Sequence, residues 1–310
     1  MPFHTPILFI IFNRPKPTQQ VFNAIKQAKP TKLYVAADGP RENKHEEALC
    51  NETRAVIQQI DWDCKVKTLF RDKNIGCGLG PKTAIDWLFE HEEEGIILED
   101  DCLPSLSFFR FCEELLERYR HDTRIMHIGG SNFQYGYVRD PDYSYYFSYY
   151  SHEWGWASWR RAWKLYDFKI SSYPEIKRKG YLDNYFSNYL EKIYRLSKTD
   201  KTLNLKDDKV NWWDYQWDYT KFINSGLSIV PNKNLVTNLG FGEDATHTKS
   251  GKDIRGKNLA KEIKFPLKHP TFVIRDNVSD KRYFIRFILR VILMRKLLGA
   301  LRIPGFSIKG

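Results

Sequence analysis

The sequence predicts an α/β protein built on a mostly parallel sheet that is flanked by helices. Short apolar runs alternate with helical patterns through residues 1–130, which is typical of successive βαβ units. One run, Ile96–Leu98, is apolar at every position, as expected for a strand that is buried on both faces. The 310 residues are 42% hydrophobic and 28% charged, which is the balance of a folded, soluble domain.

Strands and helices are predicted in alternation before residue 130. The predicted strands are Ile7–Phe12, Leu33–Ala37, Lys65–Phe70, Ile96–Leu98 and Arg124–Ile128. Apolar residues at helical spacing predict helices around Val21–Ala28, Leu49–Ile60, Pro81–Glu93 and Phe108–Tyr119. Turn-forming residues separate these elements at Asn13-Arg14-Pro15, Asp38-Gly39-Pro40 and the glycine-studded loop Asn74–Gly80.

The composition changes after Phe133, where tyrosine and tryptophan become frequent. They concentrate in Tyr143–Trp163 and again in Asn211–Tyr219. No Gly/Ser linker separates this part from the first, so we predict one domain over residues 1–275. Within it, residues 1–130 form the wound sheet, and residues 131–275 form an aromatic-rich elaboration on the open edge of that sheet. A basic tail, residues 276–310, follows.

The net charge of +11 is concentrated near the C-terminal end. Between Lys281 and Gly310 the chain has eight Lys or Arg residues and no Asp or Glu, so residues 1–280 carry only +3. Binding along a phosphate backbone needs a broad basic surface, and this body is nearly neutral. We therefore expect no nucleic-acid partner.

The tail has the pattern of a basic amphipathic helix. Arg282, Arg286 and Arg290 recur every four residues among apolar side chains. Such a helix suits an anionic membrane surface, where each cation adds about 1 kcal/mol to binding. Docking on the body of the protein or on a second subunit is the alternative.

Cysteine usage and the first residues of the chain both favour the cytoplasm. The five cysteines form no CxxC pair and their number is odd, which favours a reducing compartment over a disulfide framework or a zinc ribbon. The first residues lack the basic and apolar regions of a secretory signal, and no apolar stretch is long enough to span a bilayer. We expect a cytoplasmic protein that is peripheral at the inner face of the cell membrane.

Polar side chains follow three of the predicted strands, at Asn13-Arg14, Asp38 and Glu99-Asp100-Asp101. Ligands of open α/β sheets bind beyond the carboxyl ends of the strands, so these groups are the first candidates for a binding site. Three adjacent carboxylates repel one another, and a divalent cation such as Mg²⁺ or Mn²⁺ would stabilise them. The alternative is a solvated acidic turn before the following helix.

The glycine-rich segment is a weaker candidate. Gly76-x-Gly78-x-Gly80 has neither the spacing of the dinucleotide fingerprint nor a Walker lysine, which counts against NAD binding and ATP hydrolysis. Its backbone, with Lys82 in the first turn of the next helix, could approach a diphosphate. A surface turn is the alternative.

Several further motifs occur in the order that is found in one enzyme family. They are Phe108-Phe109, Gly155-Trp156, Trp213-Asp214, Asn238-Leu239-Gly240-Phe241-Gly242 and Thr246-His247. Together with the polar strand ends, this series resembles the GT-A fold glycosyltransferases over roughly residues 6–248. The N-acetylglucosaminyltransferases of N-glycan branching and O-mannosyl glycan extension are the relatives that it resembles in particular. The resemblance implies a nucleotide-sugar donor and a divalent metal, Mn²⁺ or Mg²⁺.

The resemblance also implies roles on the donor side. Asp101 would ligate the metal, Asp100 would lie near the ribose, and Glu99 would lie near the donor sugar. The nucleotide pocket would be lined by Asn13, Arg14 and Asp38. His247 would be a second metal or phosphate contact, although a lone histidine in a polar loop is commonly structural.

On the other side of the reaction, the resemblance implies that Asp214 is the catalytic base. The segment 212–218 is spaced differently from that of the family, so Asp218 remains a rival base. The chemistry agrees with the residues, because inverting sugar transfer needs one carboxylate for the acceptor proton and one metal for the departing diphosphate. Neighbouring tryptophans would desolvate such a carboxylate and raise its pKa.

Trp154, Trp156 and Trp213 are candidates for the acceptor or sugar site. Sugars present apolar C–H faces that stack on aromatic rings. The alternative is that these side chains are core residues, with the aspartates on a wet face.

The sequence therefore predicts a metal-dependent, inverting glycosyltransferase that transfers sugar to a bacterial-type glycan or lipid-linked acceptor in polysaccharide synthesis. A sugar-phosphate nucleotidyltransferase is one alternative, but Phe12–Pro15 lacks the glycine-rich, basic loop that such an enzyme should carry after its first strand. A non-catalytic module that binds sugar or membrane is the other.

Overall fold

The computed structural model describes residues 3–42, 44–183, 185–186, 188–206, 209–241 and 254–293. Its main sheet contains the strands β1 (Ile7–Ile11), β2 (Lys32–Ala37), β3 (Lys65–Phe70), β4 (Glu94–Glu99), β6 (Ile125–Gly129), β7 (Tyr145–Ser148), β8 (Trp156–Trp159) and β9 (Leu227–Pro231). A second, two-stranded sheet pairs β5 (Cys102–Pro104) with β10 (Val236–Asn238).

Helices flank the main sheet. They are α1 (Pro15–Ala28), α2 (Glu47–Ala55), α3 (Gly76–His91), α4 (Leu106–Arg118), α5 (Arg160–Trp163), α6 (Tyr173–Lys179), α7 (Tyr189–Leu203), α8 (Asp214–Ile223) and α9 (Asn277–Tyr283). The 3-10 turns Val56–Gln59 and Ile254–Lys257 are shorter. The predicted α/β class, with a mostly parallel sheet between helices, is confirmed.

The strand order of the main sheet is β3-β2-β1-β4-β8-β6-β9-β7. The four strands at one end, β3 to β4, are all parallel, whereas β8 lies antiparallel between β4 and β6. All five predicted strands occur within two residues of their predicted bounds. Because β7, β8 and β9 join the same sheet, residues 131–275 extend the sheet itself rather than only covering its edge.

The strand order places a crevice between β1 and β4. From β1 the chain winds outward through β2 to β3, and β4 then returns to the opposite side of β1. Connections that leave neighbouring strands in opposite directions open a space at the carboxyl ends of those strands. Arg14 follows β1 and Asp100 follows β4, so the predicted donor residues meet at this switch point.

The glycine-rich segment is helical, which differs from the predicted loop. Helix α3 begins at Gly76, and Asp38 caps it by accepting hydrogen bonds from the amides of Ile75 and Gly76 at 3.1 Å. A Cβ on Gly78 would lie 2.0 Å from the carbonyl oxygen of Val210. The glycine therefore permits a close approach of the segment before α8, which a loop prediction from composition could not reveal.

The described part of the C-terminal segment packs on the body. Helix α9 continues as a π-helix, Phe284–Leu289, which buries Phe284 and Ile288 against an aromatic cluster that includes Tyr149 and Phe222. Residues 294–310 lie outside the described residues. No helix in the described chain is both long and apolar enough to cross a membrane.

Candidate functional site

One arginine and two aspartates form an ion-pair cluster at the switch point. Arg14 Nε donates to Asp100 Oδ2 at 3.2 Å, Nη2 donates to the other oxygen of that carboxylate, and Nη2 also lies 3.1 Å from Asp101 Oδ2. Burial alone would lower the pKa of Arg14, but the two carboxylates outweigh it and raise that pKa. The crevice therefore holds a permanent cation.

The remaining acid of the trio, Glu99, is the last residue of β4. Burial, with Asp101 and Asp100 nearby, raises the pKa of Glu99 to about 8, and Asp214 adds to the effect. Burial also raises the pKa of Asp100 to about 6 against the opposing pull of Arg14. Asp214 thus acts on the donor cluster, although it lies more than a hundred residues away along the chain.

The end of β10 frames Asp101. The amide of Leu239 donates to the Asp101 carbonyl oxygen at 2.7 Å, and the amide of Gly240 donates to Asn238 Oδ1 at 2.7 Å. A Cβ on Gly240 would lie 2.3 Å from Asp101 Oδ2. The Asn238–Gly240 part of the predicted motif therefore forms a cradle beside this carboxylate, and a larger residue at 240 would displace the carboxylate.

Among the described residues, no group of three or more His, Cys, Asp or Glu side chains is arranged to hold a metal ion. Asp101 still fits as a ligand by itself, because Mg²⁺ and similar ions commonly take one or two protein oxygens and fill the rest from substrate and water. Its Oδ2 lies in the cradle at Gly240, where a metal ion would compete with Arg14 Nη2 at 3.1 Å. His247, the other predicted ligand, lies outside the described residues.

Asn13 and Lys82, predicted at the nucleotide, have partners of their own. Asn13 Nδ2 donates to Glu46 Oε1 at 3.1 Å, and Glu46 is also bound by Arg41. Lys82 Nζ lies 2.5 Å from Asp86 Oδ2 on the next turn of α3. Both side chains are partly exposed beside the switch-point strands, so a ligand would compete with these contacts.

Asp38 is engaged in the same way. Besides capping α3, it accepts from the amide of Gly39 at 3.1 Å. Burial raises its pKa against the pull of these backbone amides and of Arg71. Its first role is structural, since it fixes the start of α3 at the edge of the crevice.

A tryptophan cluster positions the start of α8. Trp156, Trp163, Trp213 and Trp217 pack together, with Trp156 and Trp217 fully buried. Tyr166 donates from its hydroxyl to the Trp213 carbonyl oxygen at 3.0 Å. Trp156 and Trp213 therefore lie in the core, which was the alternative for these candidates, and they hold the backbone that carries Asp214.

Asp214 is the first residue of α8 and is only partly exposed. Burial, followed by the charge of Asp218, raises the pKa of Asp214 to about 6, while backbone amides and Lys198 oppose the shift. Burial and Asp218 outweigh the pull of Lys198, so this carboxylate is more basic than an ordinary aspartate.

Both carboxylate oxygens of Asp218, the rival base, accept hydrogen bonds from other residues. Arg195 Nη1 donates to its Oδ2 at 2.6 Å, and the hydroxyl and amide of Ser151 donate to Oδ1. A carboxylate held by a buried guanidinium is a poor base, because protonation would break that ion pair. The geometry favours Asp214.

Glu153 is a third acid at this site that the sequence analysis did not single out. Burial, with Asp218 and Asp214 nearby, raises its pKa to about 8. It stands between β7 and the Gly155-Trp156 motif, and that position was the signal that could have found it. Nothing in the sequence indicates Arg195, whose partner lies on another helix.

Trp154 is the one predicted acceptor aromatic with a partly exposed side chain. Its ring lies 5.1 Å from that of Phe133 and 5.4 Å from that of Phe241, both in edge-to-face geometry. Phe241 follows Gly240, so this aromatic wall stands next to Asp101. The wall is large and apolar enough for the face of a sugar.

No protein-family model matches the chain, and no curated protein is significantly similar to it. Solved structures resemble it weakly. The mannosyltransferase PcManGT from Pyrobaculum calidifontis, solved with GDP-Man and Mn²⁺, is 13% identical with a TM-score of 0.35, over 51% of this chain and 46% of its own. The chain thus spans less than half of that enzyme.

Two further structures are similar to the same degree. HddC from Yersinia pseudotuberculosis is 9% identical with a TM-score of 0.32, over 51% of this chain and 77% of its own. The 4-diphosphocytidyl-2C-methyl-D-erythritol synthase from Anaerococcus prevotii is 12% identical with a TM-score of 0.32, over 59% and 80%. Such low scores carry no argument about activity, so function rests on the site.

Proposed function

We propose that this protein is a metal-dependent glycosyltransferase that moves a sugar, with inversion, from a nucleoside-diphosphate donor to a glycan or lipid-linked acceptor in surface polysaccharide synthesis. One observation carries the proposal. Asp214 begins α8 directly after Trp213, whose ring stacks on that of Trp156. Trp156 pairs with Ile97 of β4, two residues before Glu99, so Asp214 is held on the side of the sheet end that carries the acidic cluster. A free base beside a nucleotide site is what direct sugar transfer requires.

The donor side supplies fixed charge. Arg14 places a guanidinium at the carboxyl ends of β1 and β4, where it can stabilise a diphosphate through charge-assisted hydrogen bonds. Asp101 would hold the divalent metal, which supplies further stabilisation of the departing diphosphate when bound. Glu99, at the end of β4, would meet the donor sugar, and its raised pKa lets it donate a hydrogen bond at neutral pH.

The acceptor side supplies the base. Asp214 accepts the proton of the acceptor hydroxyl as that oxygen attacks the sugar carbon. With a pKa of about 6, the carboxylate is ionised at neutral pH and is more basic than an ordinary aspartate. A single base and a single displacement give inversion, and the wall of Trp154 and Phe241 stacks the acceptor sugar.

The test is a panel of nucleotide sugars with Mn²⁺. We expect one donor to raise the melting temperature and to release nucleoside diphosphate when an acceptor is added. Release of pyrophosphate from a nucleoside triphosphate and a sugar phosphate would indicate a nucleotidyltransferase instead. Donor binding without any release, across a broad acceptor panel, would support a non-catalytic module.

We also propose that the basic tail carries the protein to anionic lipid at the inner face of the membrane. Because Phe284 and Ile288 are buried, a useful truncation ends after residue 293. Residues 1–293 should fold and transfer sugar to a water-soluble acceptor, and they should sediment less with anionic vesicles than the full chain does. Equal sedimentation of the two would contradict a role for the last residues in membrane binding.

A further inference from the structure

A buried ion pair joins α7 to α8 behind the proposed base. Arg195 and Asp218 are 2.6 Å apart, with 10% and 11% of their side chains exposed. The guanidinium also lies over the rings of Tyr150 at 4.9 Å and Phe222 at 5.5 Å. Burial would lower the pKa of Arg195, but Asp218 outweighs it, so the cation persists.

Asp218 is also the strongest charge acting on Asp214. The two acids are four residues apart on α8 and therefore lie on one face of the helix, one turn apart. The charged and titratable groups that face Asp214 are Asp218 and Tyr215 on α8, Lys198 on α7, Glu153 before β8, Glu99 on β4, Cys77 on α3 and Tyr166 after α5. Every group in this set except Lys198 is an acid.

We propose that Arg195 is a positioning residue for the transfer step: its ion pair with Asp218 holds α8 in place and offsets the negative charge one helical turn from Asp214. The inference rests on Asp214 being the base. Arg195 touches neither reacting group, so it acts only through Asp218. Without it, the full charge of Asp218 would bear on Asp214 and favour its protonated form.

The two partners should move the pH profile in opposite directions. Asp214 must lose its proton to act, so a higher pKa shifts the acid limb of the transfer rate to higher pH. Arg195→Met should move that limb up by about one unit, with roughly fivefold loss at the wild-type midpoint, approaching tenfold below it, and recovery in alkali. Asp218→Asn should move the limb down, and Arg195→Lys should restore most of the wild-type profile.

Lys177→Met is the matched control. Lys177 joins α6 to Asp200 on α7 at 2.6 Å, but both side chains are well exposed and neither acts on Asp214. The Lys177→Met substitution should leave the acid limb of the transfer rate at its wild-type pH. If Arg195→Met lowers the rate by one factor at every pH, the role of Arg195 is merely structural and the proposal is overturned.

A second readout works without turnover. The carboxyl ¹³C shift of Asp214, titrated by NMR in the wild type and each folded variant, should follow the same order of midpoints. If Arg195→Met and Asp218→Asn shift the Asp214 midpoint in opposite directions but the wild type transfers no sugar, the proposed function is wrong. The electrostatic coupling of Arg195 and Asp218 to Asp214 would still stand. Transfer with an unchanged Asp214 midpoint in Asp218→Asn, or in a folded Arg195→Met variant, would overturn this inference alone.

Discussion

The two sides of the crevice, which we propose bind donor and acceptor, differ in how their acids are paired with cations. At the switch point, Arg14 binds Asp100 and reaches Asp101, so two carboxylates share one guanidinium. On α8, Arg195 binds Asp218, whereas Asp214 has the weaker pull of Lys198, which burial and Asp218 outweigh. An acid that is neutralised in place can organise a ligand, whereas an acid that is left unpaired can move a proton.

Two arginine–carboxylate pairs, Arg14–Asp100 and Arg195–Asp218, flank the site. Each one fixes the position of one acid by hydrogen bonds beside a second acid. On the donor side the second acid is Asp101, whose Oδ2 also lies 3.1 Å from Arg14 Nη2, and on the other side it is Asp214. Removing Asp101 should abolish donor binding and, with it, transfer, whereas removing Asp214 should slow transfer and spare donor binding.

The largest effect is expected from Asp101→Ala. Loss of this carboxylate leaves the diphosphate charge uncompensated at the crevice, so donor binding and transfer should both disappear. Calorimetric titration of donor in the presence of Mn²⁺ measures the first, and diphosphate release measures the second. Asp122→Ala, which removes a distant acid that is paired with Arg124, should change neither. Full activity in excess chelator would contradict the assignment of Asp101 as a metal ligand.

Asp214→Asn should affect sugar transfer without affecting donor binding. Donor affinity should stay nearly unchanged, because the switch-point residues are intact. The transfer rate should fall by about 10² to 10⁴, which is the usual contribution of a positioned base. Asp218→Asn is the internal comparison and should cost less than roughly tenfold per folded molecule, since Asp218 is held by Arg195. The reverse order of damage would move the base to Asp218.

The wild-type pH profile should place the base on the acceptor side. With the pKa of Asp214 at about 6, the ionised fraction rises through that pH. Transfer at saturating donor should therefore be about tenfold slower one unit below the midpoint than on the plateau. Donor binding, measured over the same range, supplies the comparison. A transfer rate that stays level from pH 5 to about pH 8 would exclude Asp214 as the group that titrates.

The smallest effect concerns stability. The folded-state pKa of Glu153, about 8, lies above its usual value, so its contribution to stability is present in acid and is lost as pH rises through 8. Glu153→Gln should therefore raise the free energy of unfolding by about 1 to 2 kcal/mol above pH 8 and change it little near pH 4. Glu175→Gln, at an exposed acid on α6, should show no such pH dependence.

The donor half was largely predictable from the sequence. Its strands are short apolar runs between turn residues, and its acids directly follow strands, so local patterns were enough to bring Arg14 and Asp100 to one edge. The acceptor half was less predictable, because composition does not distinguish a core tryptophan from a pocket tryptophan. Trp156 is fully buried, whereas Trp154, two residues earlier, is partly exposed.

The contacts that favour Asp214 over Asp218 as the proposed base could not be predicted from local sequence patterns, for a physical reason. Arg195 and Asp218 are 23 residues apart and belong to different helices, so no spacing rule joins them. The approach of Val210 to Gly78 also depends on tertiary packing, which overrides the usual tendency of glycine to end a helix. Sequence patterns predicted the strands and helices, whereas tertiary packing determines that Arg195 pairs with Asp218 rather than with Asp214.

Strands β8 and β9 both pair with β6, one on each side of it. The chain leaves the sheet after Trp159 and rejoins it at Leu227, so everything from α5 to α8 is a single excursion anchored at two fixed points. Doubling the length of such a closed excursion costs only about 0.6 kcal/mol of loop entropy. This region, which carries the proposed base, can therefore change in length without disturbing the sheet, and proteins that share this sheet should differ most between these two strands.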